Sequence, residues 1–297
     1  MTDLVLDASS LFARSFFAAQ NSRYNTDIAT DAPALTYALR TLIRLLDPGS
    51  DSIGTVIDRM LAAWDGEQNP HKDRKPKPAE YHDMKLRFQD LFSVMFGATQ
   101  LIAAPGSEAD DVVASAVAQS PAERVYVVSG DKDLTQLHCP RVSFYDLNQK
   151  CLLSPHLICS RWGIKDPSHV SLALAIIGDP VDNIRGIPGW GAKKARKLFE
   201  VVPDGAPLDE ALNLLLPQIP EHLADAFWNS LDRTLLKPDL PLEAGPSKIV
   251  YTSVDEVADL GLGIESDYAR LLSSLEASTG SRSATNRPRS GSRTASR

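Results

Sequence analysis

Cysteine is scarce in this chain: there are three in 297 residues, and Cys139, Cys151 and Cys159 form no C-x-x-C pair. An odd number without that spacing argues against a disulfide framework or a zinc knuckle and leaves ordinary thiols. Long apolar runs are also missing. Nothing approaches the ~20 residues of a membrane span, and no basic start leads into an apolar stretch as in a signal peptide, so a soluble, cytoplasmic protein is expected. Positive charge is in deficit, with a net charge of −7. The deficit is uneven, because residues 277–297 hold five arginines and no acid, which leaves 26 basic against 38 acidic groups over residues 1–276. A negative total does not exclude a basic stripe for nucleic acid, and surplus carboxylates are also what a multi-metal site would leave. With 43% apolar residues there is enough to bury one large core or two small ones.

Acid recurs at the ends of strand-like runs. Residues 4–6 are apolar and end in Asp7, followed by a helical pattern over 9–20 with Leu11, Phe12, Phe16 and Phe17. Residues 34–46 are spaced as a helix; 60–64 run as a strand into Asp65; 81–96 repeat as a helix and 99–103 as a strand. The run RVYVV at 124–128 leads into SGDKDLTQL, which carries Asp131 and Asp133. Strands separated by helices predict a mainly parallel sheet with helices on both faces, whose ligands gather outside the carboxyl ends of the strands. Asp7, Asp65, Asp131 and Asp133 would all lie along that edge.

The stretch GSEADDVV at 106–113 adds three carboxylates in four positions, Glu108, Asp110 and Asp111. Two such charges 4 Å apart repel by roughly 4 kcal/mol at an effective dielectric of about 20, so a cation is expected beside them. Ser107 and Asp110 also fit a capping box, with acids suited to the positive end of a helix over 109–119.

Beyond residue 150 the pattern turns helical, over 155–162, 167–177, 192–201, 208–216 and 221–236, with one or two closing helices over 254–275. Residues 178–199, GDPVDNIRGIPGWGAKKARKLF, place Gly186, Gly189 and Gly191 in a tight turn, with Lys193, Lys194, Arg196 and Lys197 directly after. Close-set glycines free backbone N–H groups to approach a phosphate. No strand precedes the turn and its glycine spacing fits neither a Walker loop nor a dinucleotide fingerprint, so a helical element gripping a nucleic-acid backbone fits better. The segment 69–78, NPHKDRKPKP, is polar, Pro-rich and basic, as an exposed loop would be. Residues 277–297 lack apolar periodicity and are expected to be a disordered Ser/Arg-rich tail able to add sequence-independent attraction to DNA.

Taken in order, LVLDAS, AWDG, SEADDVVAS, SGDKDLTQL and GDPVDNIRGIPGWGAKKA give a chain that resembles the 5′-nuclease family over about residues 3–245: phage 5′→3′ exonucleases, flap endonucleases and the 5′-nuclease domain of bacterial DNA polymerase I. The resemblance implies an α/β, PIN-like catalytic domain over 1–150 and a helical DNA-binding region over 151–276 containing a helix–three-turn–helix element. It implies one metal served by Asp7, Asp65, Glu108, Asp110 and Asp111, and a second served by Asp131, Asp133, Asp179 and Asp182. Oxygen ligands of this kind suit Mg²⁺ or Mn²⁺ rather than zinc. It further implies duplex contacts from Gly186, Gly189, Gly191, Lys193, Lys194 and Lys197, a K⁺ ion at that turn, and catalytic cations Lys72 and Arg74 over the site.

Two departures stand out. His71 occupies the place of the family's gateway lysine three residues before Arg74, with Lys72 beside it. Ala13 stands where relatives carry an aromatic that stacks on a terminal base, and the nearby Phe12 and Phe16 read as core side chains. The expected activity is a divalent-metal-dependent 5′→3′ exonuclease and 5′-flap endonuclease on DNA, in a stand-alone, monomeric protein. The alternatives are a non-catalytic binder of DNA junctions and a PIN-type nuclease acting on RNA–DNA hybrids.

Overall fold

The computed structural model describes residues 1–21, 32–66, 77–103, 107–242 and 248–285. Its strands are β1 (Thr2–Asp7), β2 (Arg59–Trp64), β3 (Thr99–Ile102), β4 (Arg124–Ser129), β5 (Val142–Asp146) and β6 (Cys151–Leu153). They form one sheet in the order β3-β2-β1-β4-β5-β6. The first five are parallel, and β6 returns antiparallel to β5.

Period-two alternation in the central strands separates two cores. Val5, Leu61, Ala63, Val125 and Val127 face one side. Leu4, Leu6, Met60, Ala62, Trp64, Tyr126 and Val128 face the other. Helices cover both sides, which is why β1 and β2 are buried almost throughout. On the second side lie α1 (Ala8–Asn21), α2 (Ala32–Leu46) and α3 (Ala79–Phe96). On the first lie α4 (Ala109–Gln119), α5 (Pro155–Trp162), α6 (Val170–Ile177), α7 (Ala192–Leu198), α8 (Leu208–Leu215) and α9 (Glu221–Thr234). The mostly parallel α/β architecture is the one expected.

Packing departs from the expected division of the chain in two places. The closing helices α10 (Val254–Ala258) and α11 (Glu265–Thr285), grouped from sequence with the helical region, lie instead on the α1–α3 side. Val257, Tyr268 and Leu271 are apolar there, and Tyr268 Oη donates to the Met95 carbonyl at 3.1 Å. The second departure is the expected tail from residue 277: α11 continues to Thr285, because a helix already anchored by its apolar face extends at the cost of only one residue's ordering at a time. Residues 286–297 lie outside the described residues.

At the amino-terminal edge of the sheet, Arg59 forks onto buried Asp3, which also accepts from Ser120 Oγ at 2.5 Å. That carboxylate is satisfied, and it lies at the opposite end of β1 from Asp7. Phe12 and Phe16 are 1% and 2% exposed, so they are core residues, as expected. Phe12 stacks on Phe88 at 5.6 Å between ring centres.

Candidate active site

The strand order reverses between β1 and β4, the switch point at which the carboxyl ends of an open α/β sheet form a crevice. Asp7 is the last residue of β1 and Asp65 follows β2; Asp131 and Asp133 follow β4. Asp7 Oδ2 accepts from Ser129 Oγ at 2.6 Å and Oδ1 from the Ser10 amide at 2.9 Å. Burial lifts the Asp7 carboxyl to about 7; the two hydrogen bonds oppose the rise, and the charges of Asp65 and Asp131 add to it.

Asp65 is held by its amide, which donates to Ser9 Oγ at 2.8 Å, and its Oδ1 accepts from the Ala109 amide at 3.1 Å. This corrects the expected capping box. The N-cap of α4 is Glu108, without a side-chain cap bond, rather than Ser107. A carboxylate from the neighbouring strand end serves a first-turn donor, the Ala109 amide, where the capping box expected Ser107 to serve the Asp110 amide. Glu108, Asp110 and Asp111 are half-buried at the start of α4. Asp111 Oδ1 accepts from the Lys237 amide at 2.9 Å, so one of its oxygens ties down the chain leaving α9.

The second acidic group is tighter. Asp131 accepts from the Asp133 amide at 2.9 Å, and Asp133 opens a 3-10 turn, Asp133–Leu137. Asp179 and Asp182 sit on a small loop after α6, closed by two reciprocal 2.8 Å backbone bonds between Asp179 and Ile184, with Asn183 at φ +55°. Carboxylate oxygens of Asp133, Asp179 and Asp182 lie within 4.8 Å of one another. Asp133 Oδ1 is buried without a hydrogen-bond partner among the described residues. Burial, then the charge of Asp131, push Asp133 up to about 7; Lys132 pulls the other way, and Asp182 and Asp179 add to the rise. Lys132 Nζ lies 2.6 Å from Asp179 Oδ2. Burial alone would lower this ammonium, but its bond to Asp179 and the charges of Asp179, Asp133 and Asp131 hold it above its ordinary value. Three crowded carboxylates, one oxygen unpartnered and only oxygen donors are a set that fits a hard divalent cation.

Asp131 connects the two groups, since its charge raises both Asp7 and Asp133. Its position was legible in the sequence; the ion pair of Lys132 was not, although a lysine between two site aspartates was the signal available. Lys85 was also missed. From α3 it reaches the Asp65 carbonyl at 3.2 Å. Lys72 and Arg74 lie outside the described residues.

The glycine turn divides into two parts. Gly178 and Gly186, at φ +84° and +66°, pack backbone against backbone: a Cβ on Gly186 would stand 2.5 Å from the Gly178 nitrogen. The Gly186 amide donates to Ser230 Oγ at 3.1 Å. Gly186 is therefore a packing glycine, and its N–H is not free for a phosphate, contrary to expectation. Gly189 and Gly191 face open space, with nothing within 4 Å of an added Cβ. Lys193, Lys194 and Lys197 are exposed just beyond, with Lys194 Nζ 3.9 Å over the Trp190 ring. Arg196 turns away, lying against Gly163.

Residues 2–163 match the model of the 5′–3′ exonuclease, N-terminal resolvase-like domain. The chain belongs to that family. This exonuclease-family chain is 29% identical over 251 residues to the thermostable DNA polymerase I of Thermus caldophilus, covering 81% of this chain and 29% of that one. It is 27% identical over 201 residues to the 5′–3′ exonuclease of Buchnera aphidicola subsp. Schizaphis graminum, covering 66% and 69%. It thus spans under a third of the length of the polymerase relative. Among solved structures, T5 5′-exonuclease with divalent metal ions (zinc) bound aligns at a TM-score of 0.52 and 16% identity, over 93% of this chain and 99% of that one. The catalytic core of Rad2 in complex with DNA substrate aligns at 0.57 and 15%, over 91% of each. Both share the PIN-like fold described above.

Proposed function

We propose that this exonuclease-family chain is a divalent-metal-dependent 5′→3′ exonuclease and 5′-flap endonuclease on DNA. The observation that carries the reading is the Asp133–Asp179–Asp182 group with its unpartnered oxygen, joined through Asp131 to Asp7 at the switch point of the sheet. Asp133, Asp179 and Asp182 would hold one Mg²⁺ or Mn²⁺, and Asp7, Asp65, Glu108 and Asp110 a second, with Asp131 between them; Asp111 would contribute only its second oxygen. A divalent cation held there supplies charge neutralisation and a bound water acidic enough to ionise near neutral pH.

The protein's own part is positional. Ser129 and Ser10 fix the Asp7 carboxylate, Ser9 fixes the backbone of Asp65, and the bridge between Asp179 and Ile184 holds Asp179 in the group. Lys132 supplies compensating charge to Asp179. Lys193, Lys194 and Lys197, with the open side of Gly189 and Gly191, would take the phosphates of a duplex and set the distance from the gripped backbone to the acids. The open space at those glycines also leaves room for K⁺ at the turn. The named relatives and the DNA-bound Rad2 core support DNA as the substrate class.

The test is a 5′-labelled flap, a nicked duplex and an RNA–DNA hybrid incubated with Mg²⁺. Cutting of the flap and nick, loss of cutting in EDTA, and a fall of at least about a hundredfold in Asp131→Asn with duplex binding kept are expected. Cutting that persists in EDTA would overturn the reading, and preferential cutting of the hybrid would move the substrate class to RNA.

A further inference from the structure

A second charged site lies on the α1/α2 side of the sheet, outside the acidic edge. A cavity of about 240 Å³ is lined by Arg14 of α1, Arg40 and Arg44 of α2, Lys150 after β5, and Ser52, with Tyr37 and Tyr145 among its walls. No lining residue is acidic, in a chain whose first 276 residues are strongly acidic overall.

The cations are not all spent. Arg40 is engaged by Asp267 and the Gly263 carbonyl, and Arg14 by Asn148. Arg44 and Lys150 have no side-chain hydrogen bond or ion pair among the described residues. Lys150 is a non-glycine residue at φ +57°, held by the 2.7 Å bond from its amide to the Asp146 carbonyl. Ser52 is 5% exposed, and its Oγ has no hydrogen-bond partner among the described residues. A buried hydroxyl with nothing to bond is costly unless a ligand supplies an acceptor. Guanidinium and ammonium donors without a carboxylate, beside an unsatisfied hydroxyl, are the set that recognises a phosphate oxyanion. The volume is below the usual range for a drug-sized ligand, which suits a phosphate group with little more than its sugar.

We propose that this cavity is a phosphate-binding site separate from the acidic edge, taking either a free phosphate or the backbone phosphate of a bound strand. Asn148 stands between the two sites: it accepts from Arg14 and donates from Nδ2 to the Gly130 carbonyl at 2.7 Å, next to Asp131.

The test uses the full chain in EDTA, so that phosphate is not drawn to metal. Calorimetric titration with inorganic phosphate and with dAMP is run on wild type, Arg44→Gln, Lys150→Gln and Ser52→Ala, with Lys193→Gln as a control at the glycine turn. Saturable binding that weakens about tenfold in the first three variants and not in the control supports a free-phosphate site. If free phosphate does not bind but Arg44→Gln and Lys150→Gln each reduce the salt slope of nicked-duplex binding by about one, the site is supported with a strand phosphate as its ligand. If neither phosphate nor duplex binding changes in any of the three, the proposal is overturned. Ser52→Ala keeps the test independent of folding, since a hydroxyl without a partner can be removed without breaking a bond.

Discussion

Asp7 and Asp133 are the two site carboxyls that burial lifts to about 7, from an unfolded value of about 3.9. Because the folded state holds their protons longer than the unfolded chain, stability from these groups is fully present below pH ~4 and is lost as pH rises through about 7. The metal-free protein should accordingly show a melting temperature that falls between pH 5 and 7.5. Asp133→Asn should flatten that fall and raise the metal-free melting temperature, since it removes a buried charge while keeping the shape. Stabilisation by Mg²⁺ should grow over the same interval, because the ligands must give up protons to bind it, and should be largely lost in Asp133→Asn. Calorimetric melts with and without Mg²⁺ measure all three. Asp179 and Asp182, on the loop after α6, came only from the family resemblance, whereas Asp7, Asp65, Asp131 and Asp133 after their strands, and Glu108, Asp110 and Asp111 at the start of α4, were legible because sequence pattern already marks those positions. Their partners were less so: Lys132 meets Asp179 across 47 positions of chain, and Asp65 reaches Ala109 across 44, distances at which a single sequence carries no pairing signal.

At the scale of elements, the turn after α6 shows two kinds of glycine. Gly186→Ala combines a left-handed backbone at φ +66° with contacts of 2.5–2.8 Å to neighbouring backbone, whereas Gly189→Ala meets only the backbone penalty at φ +76°. The second should cost about 1–2 kcal/mol in urea unfolding, and the first clearly more. Lys193→Ala and Lys197→Ala should leave stability nearly unchanged and each lower the salt slope of duplex binding by about one. Sequence pattern found α4 and α5 with their observed bounds: α4 by its apolar spacing, although its expected cap was not the one formed, and α5 by Pro155 at its first position after the Ser154 cap. It missed β5 and β6: VSFYD and CLL are too short to show a period, and their hairpin is fixed by a turn in which Asp146 accepts from the Asn148 and Gln149 amides at 2.7 and 3.2 Å. Asp146 is thus a strand-end acid whose oxygens are spent on a turn.

For the whole molecule, the sheet is shared rather than appended. One continuous core runs from Val5, Leu61 and Val127 of the sheet to Phe199, Phe227 and Leu231 of the helical region. The chain after α9 is laced onto α4, with Ser115 Oγ donating to the Lys237 carbonyl and accepting from the Leu240 amide, both at 3.0 Å. The sheet and the helices on its first side should therefore unfold together, with circular dichroism and tryptophan fluorescence giving coincident urea transitions. Phe227→Ala, about 3–5 kcal/mol destabilising, should shift both equally. Two separated midpoints would contradict this. The expected boundary near residue 150 marks a change of secondary structure, which composition reveals, but not a break in the core, which only packing reveals.

The cap on α4 has one more consequence. Asp65 Oδ1 is committed to the Ala109 amide, so a cation drawing on that carboxylate competes with the first turn of the helix for the same oxygen. A cation loaded there should therefore speed the exchange of a single backbone hydrogen, that of Ala109, and make it a gauge of occupancy.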